Sequence, residues 1–198
     1  MELKKGITVY CGSGIGNNPE FAEAAEILGR EIARRRLPLY YGGGKMGLMG
    51  AVGHSVRANG GESVAVIPGF MVERGWNDPA STHTVETRSM HERKEYFARH
   101  ALGCIALPGG VGTFEELCEI ITWRQLGLFS GNIVVMNIDG YYDSWLAQFH
   151  KAVQEGFFKK SHFGLFDVTD DPVEAVALAA RPNDDKEIEP KFKISSKH

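Results

Sequence analysis

The sequence predicts an α/β protein with a Rossmann-like, doubly wound and mainly parallel sheet that carries helices on both faces. Short runs rich in β-branched and aromatic residues alternate along the chain with longer stretches of helical pattern, which is the order of successive βαβ units. Several of the short runs end directly in glycine, as expected where a strand turns tightly towards the next helix.

The predicted elements follow one another regularly, with one long interruption. Five short, β-rich runs are predicted strands: Ile7–Cys11, Leu37–Tyr41, Ser63–Ile67, Cys104–Leu107 and Ile133–Ile138. Six longer segments are predicted helices: Pro19–Arg36, Met46–Asn59, Met90–Leu102, Phe114–Leu126, Tyr142–Glu155 and Pro172–Ala180. Gly69–Arg88 is predicted to be a long loop, because it contains Pro79 and two glycines, and its Trp76 is expected to be exposed.

Length and composition indicate one globular domain, assigned to residues 1–181, since domains usually have roughly 100–200 residues. The tail, residues 182–198, is polar and mixed in charge and is predicted to be mobile. A net charge of -3 indicates no basic surface for nucleic acid or a membrane. No run of about 18 apolar residues is present that could span a bilayer.

The three cysteines, Cys11, Cys104 and Cys118, lie within apolar stretches and are odd in number. They are therefore interpreted as reduced core thiols and not as a disulfide framework. The first residues, MELKKGITVYCGS, lack the apolar run and the cleavage site of a signal peptide. A cytoplasmic location is the expectation.

Glycine-rich segments follow three of the predicted strands: Gly12–Gly14, Gly42–Lys45 and Pro108–Thr113. In an open parallel sheet these segments meet at the carboxyl edge, where ligands bind. Glycine lets backbone amides approach a ligand closely, and the third segment opens a helix, whose positive end attracts phosphate. One such loop could simply be a tight turn, but three at one edge favour an anion site.

Two common phosphate motifs do not fit these loops. Lys45 is followed by Met46, where a Walker loop requires a serine or threonine for magnesium. The first loop has Gly12, Gly14 and Gly16 at alternate positions, and no acidic residue follows the second strand to hold a ribose. The sequence therefore favours a mononucleotide over a dinucleotide.

Glu115 and Glu116 directly follow the third loop, although carboxylates repel phosphate. Spacing alone favours a capping box, with Thr113 at the N-cap and Glu116 at the third helical position. A carboxylate one turn into the helix could also point past the phosphate to a sugar. There it would stabilise the positive charge that develops at the anomeric carbon during glycosidic cleavage.

A second capping box, from Ser89 to Glu92, predicts the start of another helix. On that helix Arg93 and Lys94 lie in an apolar stripe with Met90 and Phe97. Cations in such a stripe need an anion to meet them, or they form a surface pair with extended side chains, and both interpretations stay open. The sequence contains neither HExxH metal spacing nor a GxSxG elbow.

Two of these segments match a known family. Pro108–Glu116 has the pattern PGGxGTxxE and Met90–Lys94 has the pattern MHxRK, while YCGS at Tyr10–Ser13 and YGGGxxGLMGAV at Tyr41–Val52 also agree. Over about residues 5–180 the chain closely resembles the LOG (LONELY GUY) family, cytokinin riboside 5'-monophosphate phosphoribohydrolases that were long mislabelled as lysine decarboxylases.

The resemblance implies hydrolysis of an N6-substituted adenosine 5'-monophosphate to the free base and ribose 5-phosphate, with no metal and no organic cofactor. It implies that Arg93 and Glu116 are the catalytic pair, that Gly109–Thr113 bind the phosphate with Ser13 and Lys94 beside it, and that Thr122 is a weaker candidate. The full set of candidate binding residues is Ser13, Gly43, Met90, Arg93, Lys94, Gly109, Gly110, Val111, Gly112, Thr113, Glu115, Glu116 and Thr122.

The family is also dimeric, and an apolar interface is expected from Met46, Leu48, Met49, Trp123, Leu126, Leu128 and Phe129. Two alternatives stay open: a general AMP nucleosidase, and a non-catalytic nucleotide sensor or carrier on the same fold. A pure binder would have no need of a carboxylate at the anomeric carbon, so Arg93 and Glu116 discriminate between enzyme and carrier.

Overall fold

The computed structural model describes residues 3–182, which form a seven-stranded parallel sheet in the order β4-β3-β2-β1-β5-β6-β7. The strands are β1 Gly6–Tyr10, β2 Leu39–Tyr41, β3 Ser63–Pro68, β4 His83–Thr87, β5 Ala101–Ala106, β6 Asn132–Met136 and β7 Asp167–Thr169. The helices are α1 Pro19–Arg34, α2 Gly47–Ala58, α3 Gly69–Glu73, α4 Met90–His100, α5 Val111–Gln125, α6 Asp143–Gln154 and α7 Pro172–Ala180, with 3-10 turns at Ile138–Gly140 and Lys160–Leu165.

The sheet is wound in both directions from its centre. From β1 the chain proceeds outwards through β2 and β3 to β4, and it then returns to β5 beside β1 and proceeds outwards on the other side. The direction of winding therefore changes between β1 and β5, where an open crevice forms at the carboxyl ends of the two strands.

Apolar side chains cover both faces of the sheet. One core cluster joins the central strands to α1, α2 and α7 through residues such as Leu28, Val52 and Val176. The other joins them to α4 and α5 through residues such as Phe97 and Leu117. The predicted doubly wound architecture with helices on both faces is confirmed.

The predicted loop Gly69–Arg88 is wrong in part, because this segment contains the short helix α3 and the edge strand β4. Every second residue of β4 is exposed, and its sequence HTVET has few apolar residues. Strand β7 was also missed, because its three residues, DVT, are mostly polar and partly exposed, whereas the equally short β2 is apolar and buried. The exposure predicted for Trp76 is confirmed.

Cys11 and Cys104 are buried free thiols, as expected, but Cys118 is exposed on α5, so its assignment to the core is wrong. Within residues 3–182, none of the helices combines the length and apolar character needed to cross a membrane. The tail predicted to be mobile falls almost entirely outside the described residues.

Candidate active site

Two of the glycine loops meet directly at the crevice between β1 and β5. The Gly12 amide donates a hydrogen bond of 3.0 Å to the carbonyl oxygen of Pro108. A Cβ on Gly109 would lie 2.8 Å from the nitrogen of Gly12 and 2.1 Å from Oγ1 of Thr113. Side chains at this contact would push the loops apart, which explains the requirement for glycine.

The loop that precedes α5 is also held from outside the crevice. The hydroxyl of Tyr142 donates to the carbonyl oxygen of Leu107 at 2.8 Å, and the hydroxyl of Tyr141 donates to that of Gly109. These bonds fix the peptides that lead into the helix.

The first turn of α5 differs from the position predicted for it. The helix begins at Val111 with Gly110 as its N-cap, and no side chain caps it. Thr113 is the third helical residue and is buried, so the predicted capping box from Thr113 to Glu116 is wrong. The glycine run itself supplies the start of the helix, three residues earlier than the box predicts.

Open amides distinguish α5 from three other helices. The Asn18 side chain caps α1, and Ser89 Oγ accepts from the Glu92 amide at the start of α4, which confirms that predicted cap. At the start of α2 the amides of Leu48 and Met49 donate to loop carbonyls. In α5 the first helical hydrogen bond comes from Phe114, which leaves the amides of Val111 to Thr113 without a helical acceptor. Open amides at a helix N-terminus are groups to which anions bind in proteins.

A cavity of about 650 Å³ opens at this turn. Its walls come from the loops after β1, β2 and β5, from the start of α4 and from the segment that follows β3. Nine of the predicted residues line it: Ser13, Met90, Arg93, Gly110, Val111, Gly112, Thr113, Glu115 and Glu116.

Arg93 and Glu116 face each other on the cavity wall. Nη2 of Arg93 lies 3.7 Å from Oε1 of Glu116, and the two residues are 5% and 8% exposed. The guanidinium carbon is 5.4 Å from the ring centroid of Phe97, and Nε of Arg93 is buried with no hydrogen-bond partner among the described residues. The interpretation of Arg93 as an extended surface side chain is therefore wrong.

Burial raises the pKa of Glu116 to about 7, against the opposing effect of the positive charge on Arg93. A carboxyl group with such a pKa exchanges protons readily at neutral pH, which suits acid–base chemistry. The thiol of Cys11 also lines the cavity, but burial raises its pKa far above the usual value. That thiol stays protonated and is unsuited to act as a nucleophile.

Lys94 lies next to Arg93 in sequence but has a different environment. Its ammonium group pairs with Glu115 and, at 3.0 Å, with Glu119 on α5. Burial lowers the pKa of Lys94, but these carboxylates outweigh it and raise that pKa above its usual value. The ammonium group of Lys94 thereby offsets the negative charge of Glu115 close to the first turn of α5.

Four predicted residues lie outside the cavity lining. Gly109 is directly behind it and lines a smaller neighbouring pocket. Gly43 forms the turn after β2 with a φ of +74°, where a Cβ would lie 2.9 Å from that of Ala65. Lys94 is turned towards α5, and Thr122 is exposed farther along α5, where its hydroxyl donates to the Cys118 carbonyl.

Sequence reasoning missed the apolar side of the cavity, formed by Met46, Met49, Ile67, Met71 and Trp76. Met46 and Met49 had been assigned to a dimer interface. The one available signal was the exposed tryptophan, whose position over a cavity depends on tertiary contacts.

The fold and the site define a Rossmann-like α/β protein with a crevice at its topological switch point, open helix amides at the base of that crevice and a buried arginine–carboxylate pair beside it. The family model described as "Possible lysine decarboxylase" matches residues 49–179. The chain is 43% identical over 160 residues to the probable cytokinin riboside 5'-monophosphate phosphoribohydrolase LOGL9 of Oryza sativa subsp. japonica, covering 81% of this chain and 70% of the relative. It is 46% identical over 153 residues to the cytokinin riboside 5'-monophosphate phosphoribohydrolase LOG7 of Arabidopsis thaliana, covering 77% of this chain and 70% of the relative. The chain belongs to this LOG family.

Solved structures support the fold at lower sequence identity. The molybdenum cofactor binding protein from the phototrophic bacterium Rippkaea orientalis superposes with a TM-score of 0.65 at 18% identity, covering 89% of this chain and 96% of that chain. The X-ray structure of TM1055 superposes with a TM-score of 0.59 at 22% identity, covering 73% of this chain and 81% of that chain. At such identities the likeness concerns the fold alone.

Proposed function

We propose that this chain hydrolyses the N-glycosidic bond of a nucleoside 5'-monophosphate, of the N6-substituted AMP type, to the free base and ribose 5-phosphate. The observation that carries the proposal is the buried pair of Arg93 and Glu116, 3.7 Å apart on the wall of a cavity that begins at open helix amides. The activity that names the relatives from rice and Arabidopsis supports it.

The phosphate would bind at the amides of Val111, Gly112 and Thr113, next to Ser13. Glu116 follows Thr113 by three residues, roughly 4.5 Å along the helix axis. The carboxylate is therefore about one turn from the bound phosphate, where the ribose of a 5'-phosphate would lie.

In the proposed reaction, a water oxygen forms a bond to C1' while the bond from C1' to the base nitrogen breaks. The electron pair of the broken bond goes to the base, and positive charge develops at C1' and the ring oxygen. Ionised Glu116 stabilises that charge and accepts one proton from the water. The leaving base takes up one proton from the solvent and Glu116 returns its proton to the solvent, so that one hydrogen of the water stays on the new C1' hydroxyl and the equivalent of the other ends on the base. Arg93 favours the ionised carboxylate and positions the nucleotide. Water is the only co-reactant.

The test is direct. The protein is incubated with AMP and with isopentenyl-AMP, and the free bases are separated by chromatography. Release from isopentenyl-AMP supports the proposal. Comparable release from both nucleotides would indicate a general AMP nucleosidase. Nucleotide binding without base release would indicate a carrier.

We further propose that the chain acts as a homodimer through a groove between α4 and α5. The groove encloses about 760 Å³ and combines the exposed Leu128 and the partly buried Trp123 with charges of both signs, from Arg88, Glu95, Arg99 and Glu119. Phe129 and Leu48, assigned to the interface from sequence, are buried in the core and cannot contribute. The cytoplasmic location stays a prediction, which subcellular fractionation would test.

A further inference from the structure

The cavity has two chemically different sides. Oxygen- and nitrogen-bearing side chains surround the anion site at the carboxyl ends of β1 and β5. The other side, beyond β2 and β3, is lined by Met46, Met49, Ile67, Met71 and Trp76. β3 and β5 are separated by three strand spacings in the sheet, roughly 14 Å. A nucleotide whose phosphate binds at α5 would direct its base to this apolar side.

Trp76 is the largest side chain there and is still 51% exposed. Its backbone is held: its amide donates to the Met71 carbonyl at 3.1 Å, and the next residue, Asn77, forms a bridge to Gly44. The Asp78 amide donates to the Gly43 carbonyl at 2.7 Å, and the Asp78 carboxylate forms a partly buried ion pair of 2.7 Å with Arg57. The segment that carries Trp76 is thus fixed to the second glycine loop.

The indole ring is also positioned by a cation. The guanidinium carbon of Arg74 lies 5.2 Å from the centroid of the Trp76 ring and 5.6 Å from that of Phe70. Such contacts orient an aromatic ring without burying it. A large aromatic side chain fixed at a cavity wall, with half its surface open, is suited to contact a ligand.

We propose that Trp76 is the residue that determines specificity at the base end of the site, by packing with Met46 and Met71 against an apolar substituent of the base. The inference rests on the proposed function. Lys45 is the only charged side chain among the described residues that line this side, so selection here depends on apolar contact. Methionine side chains adapt to irregular apolar groups, and the rigid indole supplies contact area at little entropic cost.

The test compares kcat/KM for isopentenyl-AMP and AMP in the wild type, W76A, W76F and a control, F157A. Phe157 is 85% exposed and lies outside the cavity. W76A is expected to lose at least about tenfold more activity on isopentenyl-AMP than on AMP, as apolar pocket contacts usually discriminate by about 10–200-fold. W76F should keep most of the preference, and F157A all of it.

An equal loss on both nucleotides, or an unchanged ratio in W76A, would overturn the assignment of Trp76. If the wild type releases no base from either nucleotide, the proposed hydrolysis fails instead. In that event the dissociation constants of isopentenyl-AMP and AMP are measured by calorimetry for the wild type and W76A. A loss of affinity in W76A that is larger for isopentenyl-AMP than for AMP would support the assignment of Trp76, and an unchanged ratio of the two constants would overturn it. Thermal unfolding of W76A verifies that the variant is folded.

Discussion

Oε1 of Glu116 lies 3.7 Å from Nη2 of Arg93, close enough for charge attraction but longer than a hydrogen bond. The buried Nε of Arg93 has no partner among the described residues. Burial of an ion pair is costly unless further hydrogen bonds complete it, and the hydrogen bond from Nη1 of Arg93 to Sδ of Met90, at 3.8 Å, is a weak one. The pair therefore adds little to stability, which favours a role in the proposed reaction.

Replacing Glu116 by glutamine should separate catalysis from stability. Loss of the negative charge that stabilises the developing cation should lower kcat by roughly 100-fold or more. The melting temperature should change little, because the pKa of about 7 means that the neutral side chain is already well tolerated. Measured base release and thermal unfolding of E116Q check both expectations.

The matched control is E119Q on the same helix, whose carboxylate binds Lys94 and does not line the cavity. It should retain activity within a few-fold of the wild type. Full activity of E116Q would exclude Glu116 from the chemical step.

The pH dependence of the reaction should follow the ionisation of Glu116. Burial raises the pKa of this carboxyl to about 7, and the proposed step needs the ionised form. The value of kcat/KM should therefore rise with pH through about 7 and level off above it. A fall with rising pH over that range would indicate that the protonated form is active.

Substitutions of Arg93 test whether the pH profile reports the ionisation of Glu116, because the positive charge of Arg93 lowers the pKa of that carboxyl. R93A should lower activity and move the midpoint to higher pH, whereas R93K keeps a charge and should leave the midpoint close to that of the wild type. An identical midpoint in R93A would show that the profile reports another group.

The central strands and the glycine loops could be predicted from the sequence because they depend on local features. The five predicted strands are buried, and their β-rich runs are visible in any window of the chain. The edge strand β4 could not be recognised, because its alternate residues face solvent and its sequence is mostly polar. Its assignment depends on pairing with β3.

In the candidate site, too, features that are local in the sequence could be predicted, and features that depend on tertiary contacts could not. The meeting of the glycine loops followed from glycines at strand ends, but the start of α5 did not, because Thr113 and Glu116 imitate a capping box while Gly110 is the N-cap. The pairing of Arg93 with Glu116 came from family resemblance, since a separation of 23 residues carries no spacing signal. The placement of Trp76 depends on the contact between Asp78 and Arg57, which no local pattern reveals.

A methyl group at Gly109 should weaken nucleotide binding more than it affects the chemical step. The Cβ of G109A would lie 2.1 Å from Oγ1 of Thr113 and 2.8 Å from the Gly12 nitrogen, so the two loops must separate. We expect KM for the nucleotide, and the inhibition constant of inorganic phosphate, to rise about tenfold or more. G164A is the matched control, because no atom lies within 4 Å of its added Cβ. Unchanged phosphate inhibition in G109A would argue against a phosphate at this turn.

The proposed dimer can be tested at Leu128, which is 68% exposed and lines the groove between α4 and α5. In a twofold dimer each copy contributes the same surface, so a substitution there changes the interface twice. L128D would replace an exposed apolar side chain on each copy by a carboxylate, which loses hydration when the interface forms. Light scattering at micromolar concentration should give the mass of two chains for the wild type and of one chain for L128D. F157D adds the same charge at a residue that is even more exposed but lies outside the groove, so it should stay dimeric. A monomeric wild type would refute the dimer, and a dimeric L128D would place its interface on another surface.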